Sequence, residues 1–234
     1  MNDLELYEAN ADRWWNANDR FFRSLRSVGQ FHLGLLEREW GHSLDGSRVA
    51  ELGCGGGFMA LALSKLGAKV VGVDSSAASI AAAQDEAERQ GVECEFVCED
   101  IRCCSLPSES FDLAVMNDVL EHLEDPQAAI LEASRLLKSG GRLFVNTFDR
   151  SWLSRVAVVG LAEGIGLVPR GTHDPSFFIR PVELQQYAAD SGMTLDQLVW
   201  ERPALLRTAW TWTIHLKEAK RGLGYSAFLS KGNS

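Results

Sequence analysis

One loop constrains this chain more than any other segment: Glu51-Leu52-Gly53-Cys54-Gly55-Gly56-Gly57. It grows out of Arg48–Leu52, an apolar run that predicts a short strand, and it leads into Phe58–Leu66, a predicted helix closed by Gly67. Glycine is needed where backbone must turn sharply and approach a ligand with no Cβ in the way. Strand, turn and helix in that order put the loop at the carboxyl edge of a sheet, where open α/β folds bind ligands.

The alternation then repeats. Lys69–Val73 is a β-branched strand ending at Asp74, Ser75–Gln90 an alanine-rich helix stopped by Gly91, and Cys94–Cys98 a third strand ending near Asp100. Phe111–Met116 reads as a fourth strand. Pro126–Leu137 is a helix opened by Asp125 with proline in its first turn, and Arg142–Thr147 is a fifth strand. Strand–helix units of this size imply a parallel sheet covered by helices on both faces, with right-handed crossovers. Before the loop, the spacing of Trp14, Trp15, Phe21, Phe22, Leu25 and Phe31 predicts helices.

Past residue 150 the rhythm changes. Ser151–Val168 is apolar but interrupted by Arg155, Glu163 and three glycines. Pro181–Ser191 reads as a short helix, Leu195–Trp200 as a strand, Trp210–Arg221 as a helix and Tyr225–Ser230 as a last strand. The organisation expected is a helical extension over 1–45, a ligand-binding core over 46–150, an inserted lid or membrane-facing segment over 151–180, and the rest of the same sheet domain over 181–234. A chain of 234 residues fits one α/β domain with a substantial core.

Composition excludes several classes of function. A formal net charge of -9 gives no overall electrostatic reason to seek nucleic acid, although Lys217, Lys220 and Arg221 form a local basic spot. No stretch reaches the ~20 apolar residues of a membrane span, and Met1–Asn10 is acidic with no secretion signal. The cysteines are Cys54, Cys94, Cys98, Cys103 and Cys104, an odd number with no CxxC pair. They read as reduced thiols of a cytoplasmic protein. A zinc site from the last four is the alternative, at a spacing that matches no common zinc pattern.

Two cofactor classes use a glycine loop of this kind. Dinucleotide enzymes want G-x-G-x-x-G, which aims backbone N–H groups at a pyrophosphate. Here the glycines at 53, 55 and 57 give G-x-G-x-G, with an acid two residues ahead of the first. S-adenosylmethionine (SAM) has no phosphate, but it has an ammonium group that Glu51 can balance beside the backbone of Gly53, Cys54, Gly55 and Gly57. Asp74 stands about 20 residues on, where a carboxylate can accept both ribose hydroxyls, with Ser75 next to it. Asp100 or Ile101, after the third strand, would meet the adenine. Loop, Asp74 and Asp100 at three successive strand ends point to SAM over a nicotinamide cofactor.

The fourth strand is followed by Asn117-Asp118-Val119-Leu120-Glu121-His122. This is the sheet edge beside the glycine loop, so these side chains are expected at the reacting methyl or its acceptor. A phenol with a pKa near 10 is a poor nucleophile until its proton is removed. Two solutions fit the residues: His122 as general base with Glu121 beside it, or Asp118, Glu121 and His122 as ligands of a divalent ion such as magnesium or zinc that acidifies the phenol. A capping role for Glu121 and His122 is the bland alternative. His173, in Gly171-Thr172-His173-Asp174, is a second candidate base.

These segments resemble the O-methyltransferases of ubiquinone biosynthesis. The resemblance rests on Ala11-Asp12-Arg13-Trp14-Trp15, Glu51 to Gly57, Leu120-Glu121-His122, Leu137-Lys138-Ser139-Gly140-Gly141, and above all Val168-Pro169-Arg170-Gly171-Thr172-His173-Asp174 running on to Phe178-Ile179-Arg180-Pro181. It covers roughly residues 7–200. It implies a Rossmann-like class I methyltransferase fold, with a mostly parallel seven-stranded sheet and an antiparallel last strand. It further implies a catechol-type quinone precursor as acceptor, SAM contacts at Gly53, Asp74 and Asn117, and in some members a metal at a Glu-x-x-Glu-His cluster whose first position is Asp118 here. The resemblance also implies peripheral membrane contact, on the inner face of the membrane, through residues 152–167; a lid helix over the substrate fits that segment equally.

The chain departs from the resemblance at two places. His32 stands where the family sets an arginine against SAM. Residues 201–234 lack the family's Tyr-Asn-Pro segment and read Glu201-Arg202-Pro203, with Trp210 and Trp212 following. The alternatives to a phenol O-methyltransferase are a methyltransferase acting on an amine or carboxylate, and a non-catalytic SAM-binding assembly protein.

Overall fold

Leu113 and Val115 point to one side of the fourth strand, Ala114 and Met116 to the other, and all four are fully buried. A strand buried on both faces needs helices on both sides, and the computed structural model, which describes residues 7–157 and 174–232, has them. The strands are β1 (Arg48–Leu52), β2 (Lys69–Asp74), β3 (Glu95–Cys98), β4 (Phe111–Met116), β5 (Leu137–Phe148), β6 (Met193–Pro203), β7 (Leu216–Ala219) and β8 (Gly224–Lys231). The helices are α1 (Arg20–Trp40), α2 (Phe58–Lys65), α3 (Ala77–Gln90), α4 (Pro126–Leu136), α5 (Pro181–Asp190) and α6 (Leu205–Thr211), with 3-10 turns at Ala11–Arg13 and Leu120–His122.

The sheet runs in the order β3-β2-β1-β4-β5-β8-β6-β7. From β3 to β5 the pairing is parallel, while β8 joins β5 and β6 antiparallel. On one face α4 and α5 supply Ile130, Ala133, Leu184 and Ala188 to a core with Leu52, Met116 and Tyr225. On the other, Leu36 and Trp40 of α1 and Met59 and Leu63 of α2 pack on Val49, Leu113, Phe144 and Phe228. Capping fixes α1 at both ends: the Asp19 carboxylate accepts from Phe22 N at 3.0 Å, and Gly41 closes the helix in the left-handed conformation.

Two expectations need correction. The sheet has eight strands where seven were expected, and Trp210–Arg221 is no helix. The helix in this region is α6, which ends with Trp212 at φ 51, after which Leu216–Ala219 pairs antiparallel with β6 as the new edge strand. Past the end of α6, Thr213 and Ile214 are β-branched, which favours extended backbone. Thr208 Oγ1 accepts from His215 N and Ala204 N donates to His215 O, tying the chain back into a turn. Strand β5 starts five residues before its predicted first residue, because Leu137 pairs with Phe111 ahead of a register shift. No helix among the described residues is long and apolar enough to cross a membrane.

Candidate active site

After β1 the chain crosses to β2 and β3 on one flank, while β4 lies on the other. The loops that leave β1 and β4 therefore diverge, and a crevice opens between them at the carboxyl edge. It is a cleft of about 1000 Å³. The sequence-predicted residues Glu51, Gly53, Cys54 and Gly55 line it after β1, Asp74 and Ser75 after β2, Asp100 and Ile101 after β3, and Asn117, Asp118 and His122 after β4.

The glycine loop is bent onto the end of β2. Gly53 N and Cys54 N both donate to Val73 O, at 2.8 and 3.0 Å, and Gly55 N donates to Asp74 Oδ2 at 2.8 Å. Gly53 has φ 82, and a Cβ there would lie 2.4 Å from Val119 Cγ2. A side chain at this position is thus strained in backbone and blocked in space. Over the same loop lies Trp14: a Cβ on Gly56 would fall 2.4 Å from its ring. Its neighbour Trp15 donates to Gly56 O at 2.8 Å.

Carboxylates dominate the walls. Glu51, Asp74, Asp100, Asp118, Glu124 and Asp174 all face the cleft, against the cations Arg26 and Arg102. Glu51 is buried, burial pushes its carboxyl well above the ordinary range, and its Oε2 has no hydrogen-bond partner among the described residues. Asp74 is also raised by burial, against the lowering effect of the N–H groups of Ser76 and Gly55. Each of its oxygens accepts one backbone N–H, which leaves lone pairs for a further donor. Asp100 is bonded to Arg102, which holds its carboxyl below the ordinary range. Carboxylates thus outnumber cations along the cleft.

The turn after β4 separates residues that the sequence placed together. His122 faces the cleft with its ring edge-on to Tyr7, centroids 6.1 Å apart. Glu121 is turned into the core: it is fully buried, its Oε2 accepts from Thr147 Oγ1 at 2.9 Å, and it is absent from the cleft walls. Asp118 adopts φ 54, its N–H donates to Asn146 Oδ1 at 2.8 Å, and its carboxylate accepts from Asn117 Nδ2 at 3.0 Å. The expected Asp118, Glu121 and His122 metal set therefore does not converge, and among the described residues no group of three His, Cys, Asp or Glu side chains is arranged to hold an ion. The four-cysteine zinc alternative falls for the same reason; every cysteine is free.

His32 was expected against the cofactor. It is buried beneath the cleft instead, between Glu201 Oε2 at 2.8 Å and Asn117 Oδ1 at 3.0 Å, and it is not a wall residue. Gly57 likewise sits behind the wall, its would-be Cβ 2.8 Å from Ala83, where it lets α3 approach. His173 lies outside the described residues, as do 158–167 of the expected lid or membrane segment. Sequence reasoning missed Tyr7, Arg26, Asp174 and Phe177 as wall residues, and Glu201 as the partner of His32. The paired tryptophans were the available signal for the first two, since Tyr7 stacks on Trp14 and Arg26 donates to Trp14 O.

A model described as a methyltransferase domain matches residues 50–145. The chain is 36% identical over 194 residues to a ubiquinone biosynthesis O-methyltransferase of Coxiella burnetii, covering 82% of either chain. A solved structure of a SAM-dependent methyltransferase of Thermotoga maritima, described as a possible histamine N-methyltransferase, superposes with a TM-score of 0.69 at 21% identity, covering 98% of this chain and 100% of that one. Magnesium protoporphyrin IX methyltransferase from Synechocystis, solved with bound S-adenosylhomocysteine, gives 0.68 at 17% identity, covering 95% of this chain and 94% of that one. At these identities the two structures show the fold alone.

The burial of Glu121 has a measurable consequence. Desolvation raises its pKa to about 7, while His122 pulls the other way. A carboxyl with a folded pKa above its unfolded value of about 4.3 contributes stability that is full below the unfolded pKa and is lost as pH rises through about 7. Glu121→Gln removes the titration. Thermal unfolding followed from pH 5 to 8.5 should show the variant gaining on the wild type by about 1–3 kcal/mol across that window. A pH-independent difference between the two would contradict the assignment.

Proposed function

The chain belongs to the ubiquinone biosynthesis O-methyltransferase family of SAM-dependent methyltransferases, and from that premise we propose that it methylates a phenolic oxygen of a catechol-type aromatic, a prenylated quinone precursor being the acceptor that fits best. The observation that carries the cofactor side of this reading is the buried, unpartnered carboxylate oxygen of Glu51 beside the glycine loop. An ammonium group is the partner such an oxygen lacks, and the methionine end of SAM has one. Gly53 leaves the backbone bare for close approach, Asp74 keeps lone pairs for the ribose hydroxyls, and Asp100 and Ile101 stand at the next strand end for the adenine.

Bound SAM supplies a methyl group on a positively charged sulfonium. The residues of this chain then have two tasks. One is alignment: the Asn117–Asp118 turn and the aromatic cover from Tyr7 and Trp14 fix donor and acceptor in one geometry and exclude water. The other is proton removal. His122 is the wall residue whose ring nitrogen can accept the phenolic proton, and its contact with Tyr7 restrains the ring. Buried Glu121 supports the turn and does not take part in the proton transfer. No step is assigned to a metal, because the carboxylates near His122 point elsewhere.

We also place a peripheral membrane contact at the carboxyl edge. Strands β5 and β6 both pair antiparallel with β8, so their last residues lie at the same end of the sheet as the cleft. Just beyond them Trp152 is 72% exposed, Leu206 92% and Trp210 89%. Exposed Arg20, Arg202 and Arg207 lie in or next to the same segments, on a chain whose net charge is -9. Indoles and leucines rimmed by arginines suit the surface of an anionic bilayer. A greasy prenylated acceptor would then enter from the lipid side.

Four measurements test these readings. Incubation with SAM and a panel of catechols, amines and carboxylic acids, with products weighed by mass spectrometry, should give a +14 Da catechol ether; methylation of amines or acids alone would overturn the phenol assignment. His122→Ala should lower kcat on the catechol by about 10²–10⁴, and Asp74→Ala should weaken S-adenosylhomocysteine binding by about 1.5–3 kcal/mol in calorimetry. An intact kcat or an unchanged Kd would remove the respective role. Wild type should co-sediment with phosphatidylglycerol vesicles and not with phosphatidylcholine, while Leu206→Glu with Trp210→Glu stays in solution; no sedimentation of the wild type would end the membrane reading.

A further inference from the structure

His32 is fully enclosed on α1, with Glu201 of β6 on one ring nitrogen and Asn117 on the other. The hydrogen bonds around Asn117 settle which atom faces the ring. Its Nδ2 donates to Asp118 Oδ2 at 3.0 Å, and its Oδ1 accepts from Asn146 Nδ2 at 2.9 Å. The atom toward His32 is therefore an acceptor, so Nδ1 must carry a proton. Nε2 faces a carboxylate oxygen at 2.8 Å and must carry one too. A histidine that donates from both nitrogens is an imidazolium. Burial alone would push its pKa down, but Glu201 and Asp118 outweigh burial and raise it to about 9.

The groups facing this cation come from every element packed on it. Glu201 belongs to β6 and accepts a further bond from Ser226 of β8 at 3.3 Å. Asp118 lies 3.8 Å away on the turn after β4, and the Phe144 ring of β5 stands edge-on at 6.5 Å. Of these groups only Asp118 lines the cleft; Glu201, Ser226 and Phe144 stand behind it. What they reach is Asn117, whose amide is held from three sides, and Asp118, which keeps a left-handed backbone that a non-glycine residue adopts only under constraint.

We propose that Glu201 and His32 are a positioning couple: their buried ion pair fixes the Asn117 amide and, through it, the strained Asp118 turn that faces SAM. This rests on the reading that the turn lines the SAM site. It assigns a role to two positions at which the chain departs from the family pattern. The cation stands one layer behind the cofactor and acts through the turn.

The charge is read directly by ¹⁵N NMR of the histidine rings: at pH 7 both His32 nitrogens should carry protons in the wild type, and a neutral ring would overturn the proposal. Positioning is read by calorimetry with S-adenosylhomocysteine and by steady-state kinetics. Glu201→Leu should raise its Kd and the KM for SAM by about tenfold with kcat at saturation changed less than about threefold. Glu201→Gln, which keeps a hydrogen-bond acceptor for the ring but not the charge, should recover only part of the affinity. Should Glu201→Leu fail to fold, His32→Gln with Glu201→Gln removes both charges without leaving either buried alone, and the same rise in Kd is expected. Lowered Tm with a Kd within about twofold of wild type would mean a purely structural pair. Asn117→Ala separates the two levels: if it weakens binding while the couple's variants do not, only this inference fails, and if it has no effect the site reading fails with it.

Discussion

The carbonyl of Val73 is the point on which the site is hung. It accepts from both Gly53 and Cys54, and one residue later the Asp74 carboxylate accepts from Gly55. A loop leaving a parallel strand has no hairpin partner for its N–H groups, and buried N–H groups must find acceptors. Here the neighbouring strand supplies them, so the loop after β1 cannot move independently of the end of β2. The bend exposes bare glycine backbone, and Val119 from the β4 turn closes on Gly53 so tightly that no side chain fits. Three strand ends are thereby locked into one rim before any ligand arrives.

That rim stores an electrostatic cost. Glu51 and Asp74 are both raised by burial, and Glu51 keeps one oxygen without a partner. Burying a carboxyl without a cation is unfavourable, and the free energy comes back when a positive ligand enters. The same argument separates the cofactor classes better than glycine spacing does. A nicotinamide dinucleotide would bring a pyrophosphate into a cleft walled by six carboxylates. A sulfonium with an ammonium group meets walls in which six carboxylates outnumber the cations Arg26 and Arg102. Acidity that in composition merely argued against nucleic acid becomes, in three dimensions, a selection for SAM.

Much of this was legible in the sequence because it is local. The apolar run of β4, the glycine stops after α2 and α3, and the Asp125 cap give five parallel strands at the right places, and strand-end logic then puts Glu51, Asp74, Asp100 and Asn117 on one edge. The non-local parts were hidden. Glu121 and His122 are adjacent in the chain, yet a 3-10 turn sends one inward to Thr147 and the other outward to Tyr7. Adjacent residues share no face, so a metal set read from a short run misjudged the geometry. The Trp210–Arg221 region has helix-compatible charges but β-branched residues at 213 and 214, just past the end of α6. Pairing along β6 decided the outcome, which no window of single residues records. Trp14 was visible as half of a tryptophan pair, but nothing in its neighbours says that its ring lies on the glycine loop.

The two departures from the family pattern turn out to be one. Position 32 carries a histidine where the resemblance sets an arginine, and position 201 opens the stretch where the resemblance ends; the side chains meet at 2.8 Å. Truncating either partner alone would strand the other as a buried, uncompensated charge, at a cost of about 3–5 kcal/mol. The His32 ring is enclosed in the layer behind the wall. Arg26 remains as the wall cation on the same helix, bonded to the backbone oxygens of Trp14 and Asn16. Helix α1, outside the strand alternation, thus touches both the aromatic cover, through Arg26, and the C-terminal strands, through His32 and Glu201.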